Sequence, residues 1–247
     1  VVSPPINVPG IQSVLEHYGL RIVGVDLPSD DTVAVEVDGM EQAVTSKTVA
    51  IMIVHVFGNS TASETDMQRI RKLADAHKLD VLEDCAESFN GHLSLSSGPY
   101  VDISFTSFGL IKTATALGGG VATLRDVELK ESMNRQYKFY DTQTNLEFLQ
   151  KVVKAWILQT IANSPILYGA VFRLLRGWLG LDFDAFVCSL LRGFSNDVAQ
   201  IRKRPSTPML ALLHRRLSQG KFITESVARR VELCESISTQ LNGKSQV

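Results

Sequence analysis

Short apolar runs recur along the first half of the chain. Each ends in polar residues or glycine, and stretches of helical spacing fill the intervals. Residues 1–6 read as a strand ended by Pro4 and Pro5. Residues 9–18 read as a helix, with Ile11, Val14 and Leu15 at helical spacing. Residues 21–25 form the next strand and 39–44 a short helix. Residues 48–56 are almost wholly apolar, the pattern of a central parallel strand covered on both faces. Ser63 opens a helix with Asp66 three positions on, a capping-box-like start, and Met67, Ile70, Leu73, Ala74 and His77 form its apolar face. Val81 and Leu82 then lead into Glu83 and Asp84. Ile103 to Phe105 leads into Thr106, Ser107 and Lys112. Gly118 to Gly120 opens a last run, Val121 to Leu124. This alternation predicts an α/β fold: a mostly parallel sheet with helices on both faces.

The second half changes character. Asp126 is a helix N-cap. From 146 to 194 the chain is apolar and helical. Its most hydrophobic part, 156–172, contains Gln159, Thr160, Asn163, Ser164 and Pro165, which makes it a poor membrane span. Arg173, Arg176, Arg192 and Arg202 to Arg204 follow. The stretch reads as a core or subunit-interface helix pair, with a membrane-surface element over 156–176 as the alternative. Pro205-Ser206-Thr207-Pro208 marks a boundary. Helices are predicted at 209–217 and 224–241. The boundary divides the chain into 1–205, with a helical extension at 146–194, and 206–247.

Composition adds little beyond exclusions. Of 247 residues, 45% are hydrophobic, enough for a sizeable core. The net charge of −1 and pI of about 6.6 give no general attraction to nucleic acid. Cys85, Cys188 and Cys234 are scattered, with neither zinc-ligand spacing nor a disulfide framework, which fits a reducing compartment; a cytoplasmic location is expected and no metal is. There is no signal-peptide pattern. The opening VVSPPI reads as the interior of a strand, so the chain is expected to begin inside a larger protein.

Ligands of open α/β sheets sit beyond the carboxyl ends of the strands. Asp84, Ser107 and Lys112 all fall there. A carboxylate, a hydroxyl and a lysine in one crevice suit a cofactor with a basic ring nitrogen, a phosphate and an aldehyde: pyridoxal 5′-phosphate. Lys112 would bind the aldehyde through a neutral amine; the alternative is a surface lysine. Asp84 would hold the ring nitrogen protonated; the alternative is a helix cap. Ser107 would hold the phosphate; the alternative is an ordinary loop serine. His55 is a satisfied core histidine or a site residue, and the triple glycine most simply serves a tight turn.

The same residues resemble a family. Glu83-Asp84-Cys85-Ala86-Glu87, then Asp102 to Lys112 with Ser107-Phe108, then Leu117-Gly118-Gly119-Gly120 look like the "EDaAqa", "gd.g.fSF...K" and "GeGG" patterns of the DegT-type sugar aminotransferases. Upstream, GLRIVGVD and Val54-His55-Val56-Phe57-Gly58 are similar to "Ga.pvfvD" and "vHlyG". The resemblance implies a fold-type I pyridoxal-phosphate enzyme, with Lys112 as catalytic lysine and Asp84, Ser107, Glu87 and Lys112 as cofactor contacts. It implies amino transfer from an amino acid, glutamate first, to a nucleotide-linked keto sugar, in a homodimer. It also implies an antiparallel strand at 121–124 and a phosphate loop upstream of Val1. Family dehydratases lack the lysine, so Lys112 favours transamination. Three positions depart from the pattern. Glu87 stands for Gln or His, Leu117-Gly118-Gly119-Gly120 lacks the Glu of "GeGG", and the ring-stacking aromatic aligns near Val8. These departures support a second reading, a non-catalytic binding or scaffold member.

Overall fold

The structure, a computed structural model, describes residues 1–29, 32–91, 98–178, 180–182, 185–186 and 201–244. The elements run β1 (Val2–Ser3), α1 (Pro9–His17), β2 (Val23–Gly24), α2 (Val37–Ala43), β3 (Ala50–Val54), α3 (Glu64–His77) and β4 (Asp80–Asp84). They continue with β5 (Ile103–Ser107), β6 (Gly120–Leu124), α4 (Val127–Tyr137), β7 (Asp141–Thr142), α5 (Asn145–Ala162) and α6 (Pro165–Arg173). After these come β8 (Lys203–Arg204), α7 (Thr207–Leu217) and α8 (Gly220–Lys244).

Six strands form one sheet in the order β2-β1-β3-β4-β5-β6. All pairings are parallel except the last, β5 with β6, which is antiparallel as the resemblance implies. The period-2 pleat splits β3 between two cores. Ile51 and Ile53 face Met40 of α2 and Met67, Ile70 and Ala74 of α3. Ala50, Met52 and Val54 face the other side, with Ile11 and Leu15 of α1. Helices on both faces explain why β3 carries no polar residue.

The caps match the local sequence. Ser63 and Asp66 exchange side-chain bonds with each other's backbone N–H, a complete capping box. Asp126 Oδ1 accepts the Glu128 N–H at 2.8 Å. Three expectations need correction. The first strands are shorter than predicted, since Pro4 offers no N–H to extend β1, and β2 is an edge. His77 is exposed. The helix leaves its axis at Lys78, which is left-handed with φ 56°, and buried Leu79 closes the core there. The 156–176 stretch is largely exposed in this chain and not a core helix pair, with Trp156 66% exposed and Ile166 84%, though Leu175 is buried. It is also broken, because α5 ends before Asn163 and Pro165 starts α6. Among the described residues no helix is long and apolar enough to cross a membrane. The part of the predicted helical extension over 187–194, with Arg192, lies outside the described residues.

The last helices fold back onto the sheet's site end. Leu213 of α7 and Ile223 of α8 share a core with Phe89, Phe108, Ala114 and Ala116. The Arg216 guanidinium donates to Thr115 O at 3.1 Å, and Thr224 Oγ1 donates to Asn90 O at 2.9 Å.

Candidate active site

The site is built at the carboxyl ends of β3, β4 and β5. Backbone bonds continue the ladder just past the strands: His55 N–H to Asp84 O at 3.0 Å, and Cys85 N–H to Phe105 O at 2.9 Å. Asp84 thus pairs with Phe105, and Ser107 lies two residues farther out along β5. The pleat then separates neighbours, turning Glu83 and Asp84 to opposite sides.

Glu83 is fully buried and meets His55, whose Nε2 lies 3.0 Å from Glu83 Oε1. The proton can be placed. The backbone N–H of Thr61 points at His55 Nδ1 from 3.1 Å, and an N–H can only donate. Nδ1 is therefore the acceptor, and Nε2 carries the hydrogen that Glu83 accepts. Cys85 completes this cluster. Burial first, and then the Glu83 charge, push its thiol up to about 12, so it stays neutral at pH 7. The three donor atoms of His55, Glu83 and Cys85 lie within 4.8 Å of one another. With Nε2 donating to Glu83, the cluster forms a hydrogen-bonded unit under the site.

Asp84 lies on the other side of the strand. It is 3% exposed, and its Oδ1 accepts the Ala86 N–H at 2.8 Å. Among the described residues no cation is ion-paired with it. Burial raises its pKa above the ordinary carboxylate value, opposed by the Ala86 bond and by the charge of Lys112. A buried carboxylate in this state favours a cationic hydrogen-bond donor.

Lys112 is delivered by a closed loop. Phe108 O accepts the N–H groups of Ala116 and Gly118 at 2.9 and 3.0 Å, and Phe108 N–H donates to Gly119 O at 3.0 Å. The loop between is thereby pinned at its base by a fully buried ring. Leu117, Gly118 and Gly119 all have positive φ, of 64°, 144° and 77°. This is easy for the glycines and strained for Leu117. Gly120 is required for contact, since a Cβ there would sit 2.7 Å from Thr106 O. Lys112 Nζ lies 3.4 Å from Glu87 Oε1, and the other Glu87 oxygen accepts the Phe57 N–H at 3.4 Å.

A cleft of about 170 Å³ opens between Glu87, Ser107, Lys112, Phe57, Phe89 and Ile111. Glu87, Ser107 and Lys112 thus share one cleft. Asp84 does not line it but is buried close enough for its carboxylate to feel the Lys112 charge. Val8 is the N-cap of α1 and no part of the cleft wall. Phe57 was missed by sequence reasoning. Its signal was present in the Phe57-Gly58 pair, to which no role attached. Ile111 also walls a larger apolar groove of about 710 Å³, lined by Val152 and Trp156 of α5, Tyr168 of α6 and Leu212 of α7.

The donor set fits pyridoxal phosphate: an unpaired buried carboxylate behind the cleft, and a lysine and a hydroxyl on it. Known proteins resemble about half of this chain. GDP-perosamine synthase of Escherichia coli O157:H7 is 35% identical over 133 residues, covering 52% of this chain and 34% of that protein. dTDP-3-amino-3,6-dideoxy-alpha-D-galactopyranose transaminase of Aneurinibacillus thermoaerophilus is 36% identical over 125 residues, covering 48% and 33%. The chain thus spans about a third of the length of the curated relatives it matches. Among solved structures, the Helicobacter pylori aminotransferase PseC, involved in the biosynthesis of pseudoaminic acid, matches with TM-score 0.47 and 23% identity, covering 58% of this chain and 37% of that one. The profile of the DegT/DnrJ/EryC1/StrS aminotransferase family matches residues 1–149, more than half of the chain, and the chain belongs to that family.

Proposed function

We propose that the chain carries the cofactor site of a pyridoxal-phosphate-dependent aminotransferase. It would move an amino group from an amino acid, glutamate first, to a keto sugar carried on a nucleotide. The observation that carries this is the pairing of a buried, cation-free Asp84 with Lys112 on the adjoining cleft. The relatives named above are a perosamine synthase and a dideoxy-amino-sugar transaminase, which supports the sugar class.

When bound, the cofactor supplies an electron sink for bond breaking at the amino-acid carbon. The chain's residues do the rest. Asp84 keeps the ring nitrogen protonated, in a place where burial makes a lone carboxylate costly. Ser107 holds the phosphate with its hydroxyl. Lys112 Nζ would hold the cofactor's aldehyde end and would carry a proton between the reacting carbons. Glu87, 3.4 Å from Lys112 Nζ, would hold that amine at the cleft. In the same reading residues 1–205 are the large domain, 206–247 open the small one, and the enzyme works as a cytoplasmic homodimer.

The test is to mix the purified chain with pyridoxal phosphate and reduce with borohydride. A mass increase on the peptide containing Lys112 is expected. Absence of any adduct, together with absence of reversible binding, would overturn the assignment.

A further inference from the structure

We propose that Phe57 is the ring cover of this site, and that Glu87 holds it in place. The inference rests on the cofactor reading above and deepens it. Phe57 sits in the turn after β3 and is 73% exposed, the most exposed of the residues named on the cleft wall. Its φ is +57°, in the left-handed region that a bulky residue enters only when its surroundings impose it. Two features impose it. Gly58 follows with φ 82°, continuing the left-handed turn. The Phe57 N–H donates to Glu87 Oε2 at 3.4 Å, while Glu87 Oε1 meets Lys112 Nζ at 3.4 Å. One carboxylate therefore ties the aromatic residue and the amine to the same rim.

The other aromatic on the cleft does not compete for this role. Phe89 is buried and stands edge-on to Phe108, with ring centroids 5.2 Å apart. It belongs to the core that supports the Lys112 loop. Val8 offers no ring and does not reach the cleft. Among the described residues lining the cleft, Phe57 is thus the aromatic with a face still open to a flat heteroaromatic ligand. An exposed phenyl ring held by a strained backbone gains apolar burial and ring–ring contact when such a ligand arrives. The bond to Glu87 also gives that residue a purpose beyond contact with the amine. It orients the turn that carries the cover.

The test titrates the full 247-residue chain with pyridoxal phosphate, following absorbance and cofactor fluorescence. The comparison is between wild type, Phe57→Leu and Phe57→Tyr. Leucine keeps the apolar bulk and tolerates the backbone about as well as phenylalanine, so it removes only the ring. The expected result is affinity roughly tenfold weaker for Phe57→Leu, with a changed band position and brighter cofactor fluorescence, and affinity within about twofold of wild type for Phe57→Tyr. Equal affinity and spectrum for wild type and Phe57→Leu would overturn the ring-cover role alone. No binding by the wild type would overturn the cofactor reading and this inference with it.

Discussion

His55 Nε2 and Glu83 Oε1 lie 3.0 Å apart with both side chains out of solvent, directly beneath the strand end that carries Asp84. Removing one partner of such a pair leaves a buried carboxylate with its hydrogen lost. His55→Ala is therefore expected to cost about 3–5 kcal/mol of stability. Glu83→Gln keeps an acceptor for Nε2 and should cost less. Urea unfolding of the two variants checks this. A loss below about 1 kcal/mol in His55→Ala would mean that Glu83 is protonated and the pair is an ordinary neutral contact.

Asp84→Asn should separate stability from cofactor binding. Burial raises the Asp84 pKa, so the folded state holds this proton more tightly than the unfolded chain does. The cost of the charged form is absent below the ordinary carboxylate pKa and fully present above the raised one. Without cofactor, the asparagine variant is expected to melt higher than wild type at pH 7, and the gap should close as the pH falls below the usual carboxylate range. Asparagine can still accept the Ala86 N–H, so the cap survives. With cofactor the order reverses, because a neutral amide cannot hold the ring nitrogen protonated. A variant that melts lower than wild type at neutral pH, without cofactor, would show that Asp84 is a stabilising cap.

Which parts of this could be read from residues alone follows from the range of the interactions. β3 was legible because an unbroken apolar run of that length must be covered on both faces, and α3 because its capping box lies within four residues. The strand-end positions of Asp84 and Ser107 were legible because each closes a short apolar run. The bonds that define the site's electrostatics were not. His55 and Glu83 are 28 positions apart and meet only through the register that sets Ile53 beside Glu83. Phe57 and Glu87 are 30 apart and meet across the same two strand ends. Hydrophobicity located the helices α5 and α6 but did not tell what covers them. An apolar spacing says that a face favours cover, and Trp156 and Ile166 lack that cover in this chain.

Lys112→Ala should leave the fold almost untouched. Its one ion pair among the described residues, with Glu87, joins a lysine side chain 17% exposed to a glutamate side chain 38% exposed, across 3.4 Å. Pairs of this kind contribute about 0.2–1 kcal/mol. The expected outcome is a melting curve close to wild type with borohydride trapping of pyridoxal phosphate abolished. A variant that still gives a reducible adduct would place the capturing amine on another lysine.

Gly220→Ala tests whether the last helix belongs to the site's foundation. Two opposing effects can be weighed. Alanine is the better helix former by about 1 kcal/mol in a helix interior, and less at an end such as this. Against that, a Cβ at Gly220 would sit 2.7 Å from Gly91 O, a backbone atom that cannot swing aside. Overpacking of this sort costs about 1–3 kcal/mol. The contact is mutual, since a Cβ at Gly91 would sit 2.6 Å from Gly220 O, and Gly91 has φ 113°. The clash should win. The variant is expected to be less stable, with α8 pushed off the chain near Asn90, to which Thr224 Oγ1 donates. Ile223 would then loosen from Phe89 and Phe108, which anchor the cleft wall and the Lys112 loop. Pyridoxal-phosphate affinity should fall along with stability. The control is Gly169→Ala in α6, where no atom lies within 4 Å of the added Cβ and propensity acts alone. If Gly220→Ala stabilises the protein as that control should, α8 does not pack on Gly91, and the cleft is supported without it.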